Sequence, residues 1–249
     1  KKVCVVMAGN PFTESGDKFQ IPDMLSNRAD IYNLGDIIGD QADVFEMSYI
    51  ENSLTSNVIL RNLVGKSQND LYSLVKIAQS GSAEGIEFES NHTTEEIKDY
   101  VSVLEKIIAV RKIILDVNKE YIKSAAMDDQ YRNEPPFKLQ GSYRNMNRIA
   151  EKIIAIMNND ELKTLMLSYY ENESQTLTTS AESNLLKFKG LTGWRKEEEN
   201  HRWEDILAVY RKQQKMKDFG ANQQMGTLLE KVELLTQGIF GIKDELGKN

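Results

Sequence analysis

The stretch VCVVMAGNP, residues 3–11, combines a short apolar run with a polar turn. The run extends from Val3 to Met7 and is rich in β-branched valine, and two small residues separate it from Asn10 and Pro11. A continuous apolar run of this kind is typical of a strand that is buried on both faces, as in the parallel sheet of an α/β domain. Only two residues precede the run, so its neighbouring strands are not evident in the chain.

The composition favours a globular protein. With 249 residues, of which 40% are hydrophobic and 28% charged, the chain can bury a core as one large domain or two smaller ones. No apolar segment approaches the roughly 20 residues that cross a bilayer, and we expect no membrane association. Cys4 is the single cysteine, which excludes an intrachain disulfide and favours a cytoplasmic location. The net charge of −7 argues against a surface coated for non-specific nucleic-acid binding.

Helical periodicity covers nearly the whole chain after about residue 43. Apolar residues between Ile97 and Ile122 keep close to helical spacing, and Thr93 or Thr94 can cap this helix with Glu96 nearby. The pair Pro135-Pro136 interrupts the pattern.

A second helix is predicted to start near Ser142. It would carry four apolar residues on one face, namely Met146, Ile149, Ile153 and Ile156. Further helical patterns cover residues 160–172, 177–189, 198–217 and 223–238, with Gly190, Gly193 and Gly220 between them. The chain is therefore expected to be mainly α-helical.

Two short motifs resemble functional sites but lack required residues. Gly65-Lys66-Ser67 matches the end of the phosphate-binding pattern GxxxxGK[ST], but position 60 is leucine where that pattern needs a glycine for its tight turn. Glu198 and His201 have the spacing of a di-iron ligand pair, but such a site needs a second copy of the motif. The other histidine, His92, lies in no such motif, so we expect no metal site.

The segment VVMAGNPFTESGDKFQIPDMLSNRADIY, residues 5–32, resembles the middle of the catalytic core of MoxR-like AAA+ ATPases. In that family a buried strand ends in small residues and Asn-Pro, and a Leu-x-x-Arg segment follows before the next strand. The resemblance implies that Asn10 is sensor 1, whose amide contacts the γ-phosphate and orients the attacking water. It implies that Arg28 is the arginine finger, which reaches the nucleotide site of a neighbouring subunit.

A second segment, FKLQGSYRNMN at residues 137–147, resembles the sensor 2 region of the same family. There a Gly/Ser turn starts a helix of the lid, and an arginine in the first turn of that helix contacts phosphate. The resemblance assigns this role to Arg144, and Ser142 is well placed to cap the helix. The order of Asn10, Arg28 and Arg144 along the chain agrees with the family.

The resemblance is closest to a group of large bacterial proteins labelled DNA repair ATPases, and it is strongest at residues 3–60 and 135–160. Walker A, Walker B and the earlier strands of the sheet are missing, so we expect this chain to be the C-terminal part of a longer protein. The expected segments are a remnant of the α/β core (1–45), a helical connector (46–92), a helical lid (93–175) and a helical C-terminal extension (176–249).

The resemblance implies a longer protein that hydrolyses ATP with Mg²⁺ and remodels an unknown partner protein, as a homo-oligomeric ring. The 249-residue chain alone is not expected to bind ATP tightly, because the phosphate cradle would lie in the upstream core segment. Two other functions remain open. The chain can be a non-catalytic helical interaction module, or, with weaker support, a DNA-binding helical domain.

Overall fold

The computed structural model describes residues 42–220, together with Cys4, Gly9 and Lys231. The expectation of a mainly α-helical chain is confirmed, since the described residues form helices and no strand. The α-helices are α1 (Ala42–Ser53), α2 (Gln68–Ser80), α3 (Thr94–Ala126), α4 (Tyr143–Ala150), α5 (Asn159–Gln175), α6 (Ala181–Leu191) and α7 (Glu197–Gly220). Short 3-10 helices cover Leu60–Leu63, Asp129–Tyr131 and Thr178–Ser180. None of the described helices is both long and apolar enough to span a membrane.

The described residues divide into two compact units. The first contains the described residues up to Ala126 together with Pro136–Arg195, and the second contains Met127–Pro135 and the described residues from Lys196 onward. The division into core remnant, connector, lid and extension that the sequence suggests stays a prediction.

The strand predicted at residues 3–7 is described at Cys4 alone. Cys4 is exposed and lies in no strand, so the expectation of a buried strand is wrong at that residue. A buried strand must pair its backbone groups with neighbouring strands, and the described residues supply none. The rest of this run lies outside the described residues, as does the predicted helix at 223–238 except for Lys231.

The first unit is built around the 33-residue helix α3. Its predicted cap is confirmed at Thr93, whose N–H donates to Glu96 Oε2 at 2.7 Å while the Glu96 N–H donates to Thr93 Oγ1 at 3.2 Å. This reciprocal pairing satisfies two amides at the helix start. The helix packs against α1, α2, α4 and α6. Its buried apolar side chains include Tyr100, Val103, Leu104, Ile107, Val110, Ile114, Leu115 and Val117.

The helix predicted from Ser142 is confirmed at its start but is wrong at its end. Helix α4 stops at Ala150, so neither Ile153 nor Ile156 belongs to it. Ile153 is buried in the turn that follows, whereas Ile156 is 89% exposed. A distant side chain explains the early stop, because the amide of Asn57 satisfies carbonyls there.

Asn57 is completely buried and uses its whole amide. Its Nδ2 donates to the carbonyl oxygens of Ala150 at 2.8 Å and Ile153 at 2.9 Å. Its Oδ1 accepts from the N–H groups of Ile59 at 3.0 Å and Leu60 at 3.1 Å. One side chain therefore joins the segment after α1 to the end of α4.

We predict that Asn57→Ala lowers the free energy of unfolding by at least about 2 kcal/mol, because it leaves two buried carbonyls and two amides without their partner. Urea unfolding followed by circular dichroism measures this loss. The control is Asn172→Ala, which removes an exposed asparagine on α5 and is expected to change stability by no more than about 0.5 kcal/mol. Equal losses in the two variants would contradict the role of Asn57.

Candidate functional site

Of the three candidate residues that the sequence predicts, the structure describes one. Asn10 and Arg28 lie outside the described residues, and Arg144 is the second residue of α4. The site that can be described is therefore the segment Gly141–Asn145, here called the α4 start. The structure brings Arg144 together with the predicted cap at Ser142, and no other predicted candidate is described near it.

The α4 start is capped as the sequence predicts. Ser142 Oγ accepts from the Asn145 N–H, while the Ser142 N–H donates to Asn145 Oδ1 at 2.9 Å. The Nδ2 of the same asparagine donates to the Tyr169 hydroxyl at 2.9 Å. Because Asn145 is 3% exposed, its side chain fixes the first turn of α4 both to its own cap and to α5.

At Gly141 the main chain packs directly against the backbone of α3. A Cβ atom on Gly141 would lie 2.0 Å from the carbonyl oxygen of Ile114 and 2.7 Å from the N atom of Asn118. Both are backbone atoms of α3 and cannot move aside as a side chain can. The glycine in the Gly/Ser turn is thus required because the main chain crosses α3 in direct contact.

The Arg144 side chain is exposed and makes no hydrogen bond or ion pair with any residue that the structure describes. A cation in the first turn of a helix faces the positive end of the helix dipole, which is unfavourable. Arg148, one turn later, has an acidic neighbour, with its Nη1 3.7 Å from Glu173 Oε1. The α4 start therefore presents an exposed guanidinium that no described acidic side chain neutralises, at a helix start where the Ser142 and Asn145 amides are already bonded.

The segment Gly65-Lys66-Ser67 has a structural role in the fold. Ser67 is the N-cap of α2, and its side chain accepts from the Asn69 N–H at 3.1 Å. Lys66 Nζ lies 3.2 Å from His92 Nδ1. Lys66 and Ser67 are thus engaged in contacts within the protein. This agrees with the interpretation that the segment is not a phosphate-binding loop.

Sequence reasoning missed a buried pair formed by Asp70 and His92. The Nε2 of His92 lies 3.1 Å from Asp70 Oδ2, and the two side chains are 0% and 1% exposed. The ammonium of Lys66, next to the other ring nitrogen, can only donate. In a neutral ring Nδ1 therefore accepts from Lys66, and the Nε2–H donates to Asp70. The two residues are 22 positions apart, and no local pattern links them.

Asp70 is the acceptor at the centre of this cluster. It receives the backbone N–H groups of Glu89 at 2.7 Å and Ser90 at 2.9 Å. Burial raises the pKa of the Asp70 carboxyl, but hydrogen bonds from the Ser90 side chain, these amides and His92 outweigh it and lower the pKa to about 2. The cluster holds the loop before α3 against α2, and its buried groups are not open to a ligand.

The polar clusters in the described part of α7 are exposed and do not form a metal site. Within residues 42–220, no group of acidic, histidine or cysteine side chains is arranged to hold a metal ion. Glu198 and His201 are both exposed on α7. The cations of the second half of that helix, Arg211, Lys212, Lys215 and Lys217, are exposed as well.

No family model, curated protein or solved structure matches the chain. A candidate site is therefore identified from the geometry and charge of the described residues alone. By those criteria the α4 start, with Gly141 against α3 and Arg144 exposed, is the strongest candidate among the described residues.

We predict that the contribution of Asp70 to the free energy of unfolding depends on pH. Its pKa in the folded state lies below its ordinary value of 3.8, so the contribution is present above about pH 4 and disappears as the pH falls towards 2. The stability difference between the wild-type chain and Asp70→Asn should narrow over this range. Urea unfolding at several pH values measures it.

The matched control is Asp116→Asn, which changes an exposed aspartate on α3. Its stability difference from wild type should stay small at every pH. A difference for Asp70→Asn that does not vary between pH 5 and about pH 2 would show that the Asp70 carboxylate is not held by these hydrogen bonds.

Proposed function

We propose that this chain is the C-terminal part of an AAA+ ATPase similar to the MoxR-like group, and that the α4 start is its sensor 2. In this proposal residues 93–175 form the lid, and Arg144 contacts a phosphate of ATP held by an upstream core segment. Asn10 acts as sensor 1 and Arg28 as the arginine finger. The longer protein couples ATP hydrolysis to the remodelling of a partner within a ring of subunits.

The observation that carries the proposal is the placement of Arg144. It is exposed in the first turn of α4, on a turn that Gly141 seats directly against the backbone of α3. The positive end of a helix dipole favours a nearby anion, and a guanidinium binds phosphate oxygens in pairs. A cation at this position becomes favourable once a phosphate lies next to it.

In this proposal the lid and the upstream core contribute different groups to the reaction. The upstream segment would hold ATP and Mg²⁺, and the metal ion would neutralise charge on the phosphates there. Arg144 adds a charge-assisted hydrogen bond worth roughly 1.5–3 kcal/mol, formed when the lid closes. Arg28 stabilises charge that develops on the phosphoryl oxygens of the neighbouring subunit, and the Asn10 amide orients the attacking water.

We predict that Arg144→Ala in the longer protein slows ATP hydrolysis by on the order of tenfold or more, because it removes this bond. The melting temperature without nucleotide should hardly change, since Arg144 is exposed and has no described polar contact. Steady-state ATPase rates and thermal melts measure both effects.

Arg148→Ala is the control for Arg144→Ala. Arg148 lies one helical turn further on, is exposed, and makes a long ion pair with Glu173, so its loss should cost little stability and leave hydrolysis near the wild-type rate. Equal ATPase rates in the two variants would refute the sensor 2 assignment. A large loss of melting temperature in Arg144→Ala would assign that residue a structural role.

For Arg28 we predict that replacement by Ala leaves nucleotide binding nearly unchanged and lowers turnover by on the order of 10³-fold. Mixing this variant with subunits that lack the P-loop lysine should restore some activity, because some interfaces then contain both intact parts. Normal turnover by Arg28→Ala would remove the arginine finger from the proposal.

A helical interaction module is the second candidate, favoured by apolar exposure between α4 and α5. Ile154 is 49% exposed and Ile156 is 89% exposed. Exposed apolar side chains of this kind occur at protein interaction sites. The upstream reading frame separates the two functions: a GxxxxGK[ST] motif and an acidic pair after an apolar run support the ATPase, and their absence favours the module.

A further inference from the structure

Helix α1 makes three contacts with the α4 start. Ser48 Oγ lies 2.6 Å from the Tyr143 hydroxyl, and the rings of Tyr49 and Tyr143 stack with centroids 4.3 Å apart. The Tyr49 hydroxyl also donates to the Gly141 carbonyl at 2.7 Å. Two adjacent residues of α1 therefore hold both the turn and the first residue of α4.

The same part of α1 is fixed to α3. The Nη2 of Arg111 pairs with Glu46 Oε2 at 2.8 Å, and its Nη1 donates to the Glu46 carbonyl at 3.4 Å. Arg111 is 6% exposed, whereas the Glu46 side chain is 41% exposed, so the buried guanidinium reaches out to a partly exposed carboxylate. The position of α1 relative to α3 is thereby set two residues before Ser48.

Arg144 lies between two residues that the fold holds. Tyr143 is held by Ser48 and by the ring of Tyr49, and Asn145 is held by Tyr169. Fixing both neighbours fixes the backbone of Arg144, and hence the direction of its Cα–Cβ bond, although the side chain itself is exposed.

We propose that Ser48, Tyr49 and Tyr143 are positioning residues that aim Arg144. The inference rests on the proposed function for what Arg144 does in hydrolysis. Because α1 follows Arg28 in the chain, these contacts also tie the segment after the proposed arginine finger to the helix that carries the proposed sensor 2.

The hydrogen bond from the Tyr49 hydroxyl to the Gly141 carbonyl does not change with pH in the physiological range. Burial, together with the neighbouring Tyr143, raises the pKa of the Tyr49 hydroxyl to about 12. The hydroxyl is therefore protonated throughout the physiological range and stays the donor to the Gly141 carbonyl.

The first test uses the 249-residue chain and Ser48→Ala, which removes one hydroxyl from a half-buried position. Amide hydrogen exchange is measured at Asn145 and Met146, whose N–H groups bond to Ser142. Exchange should become on the order of fivefold faster, because one hydrogen bond that restrains the α4 start is lost. Unchanged exchange at these amides overturns the positioning role, whatever the ATPase results.

The matched control for this test is Ser102→Ala. The Ser102 hydroxyl is also half-buried and also bonds across the first unit, donating to the Ala155 carbonyl at 2.7 Å. Its loss should leave exchange at the α4 start unchanged. Equal acceleration by both variants would mean general loosening of the unit and would overturn the inference.

The second test measures ATP hydrolysis in the longer protein. Ser48→Ala should lower kcat by on the order of fivefold without raising KM, and Ser48→Thr, which keeps the hydroxyl, should restore kcat. In an Arg144→Ala background Ser48→Ala should cause no further loss, because Ser48 acts through Arg144. Losses that simply add overturn the inference.

The two assays also separate this inference from the proposed function. If Arg144→Ala hydrolyses ATP normally, the proposed function fails, and with it any role of these residues in hydrolysis. If Arg144→Ala slows hydrolysis while Ser48→Ala changes neither exchange nor kcat, the proposed function stands and the positioning role is overturned.

Discussion

The contact between Gly141 and the backbone of α3 is the constraint on which the candidate site depends. The chain crosses α3 with no room for a side chain, so the turn at Gly141 lies directly against the longest described helix. The Tyr49 hydroxyl then bonds to the Gly141 carbonyl, and Ser142 starts α4 immediately afterwards. The position of α4, and with it the place of Arg144 on the first turn, depends on that contact together with the bonds from Ser48, Tyr49 and Tyr169.

The features that the sequence predicts well are local ones. The caps at Thr93 and Ser142 each depend on residues three positions apart, and the apolar spacing of α3 repeats within a few turns. The end of α4 could not be predicted in this way, because Asn57 determines it from 93 residues away. The sequence pattern ran on through Ile156, whereas hydrogen bonding to a distant amide stopped the helix at Ala150.

The same contrast between local and distant determinants applies to the candidate site. Ser142 and Arg144 could be located from the Gly/Ser turn, but the pairing of Asp70 with His92 left no signal, since neither residue lies in a motif with the other. The need for a glycine at position 141 could not be predicted either, because it depends on where α3 lies. The sequence-based assignments of Asn10 and Arg28 stay predictions.

The most direct measurement of the central claim asks whether the α4 start faces bound nucleotide in the longer protein. A nitroxide is attached through Arg144→Cys or Arg148→Cys on a background without other cysteines, and its spectrum is recorded with and without Mn²⁺-ATP. We expect paramagnetic broadening that is strong at position 144 and weaker at 148, one helical turn further on. Spectra at both positions that do not change when Mn²⁺-ATP is bound would contradict the account.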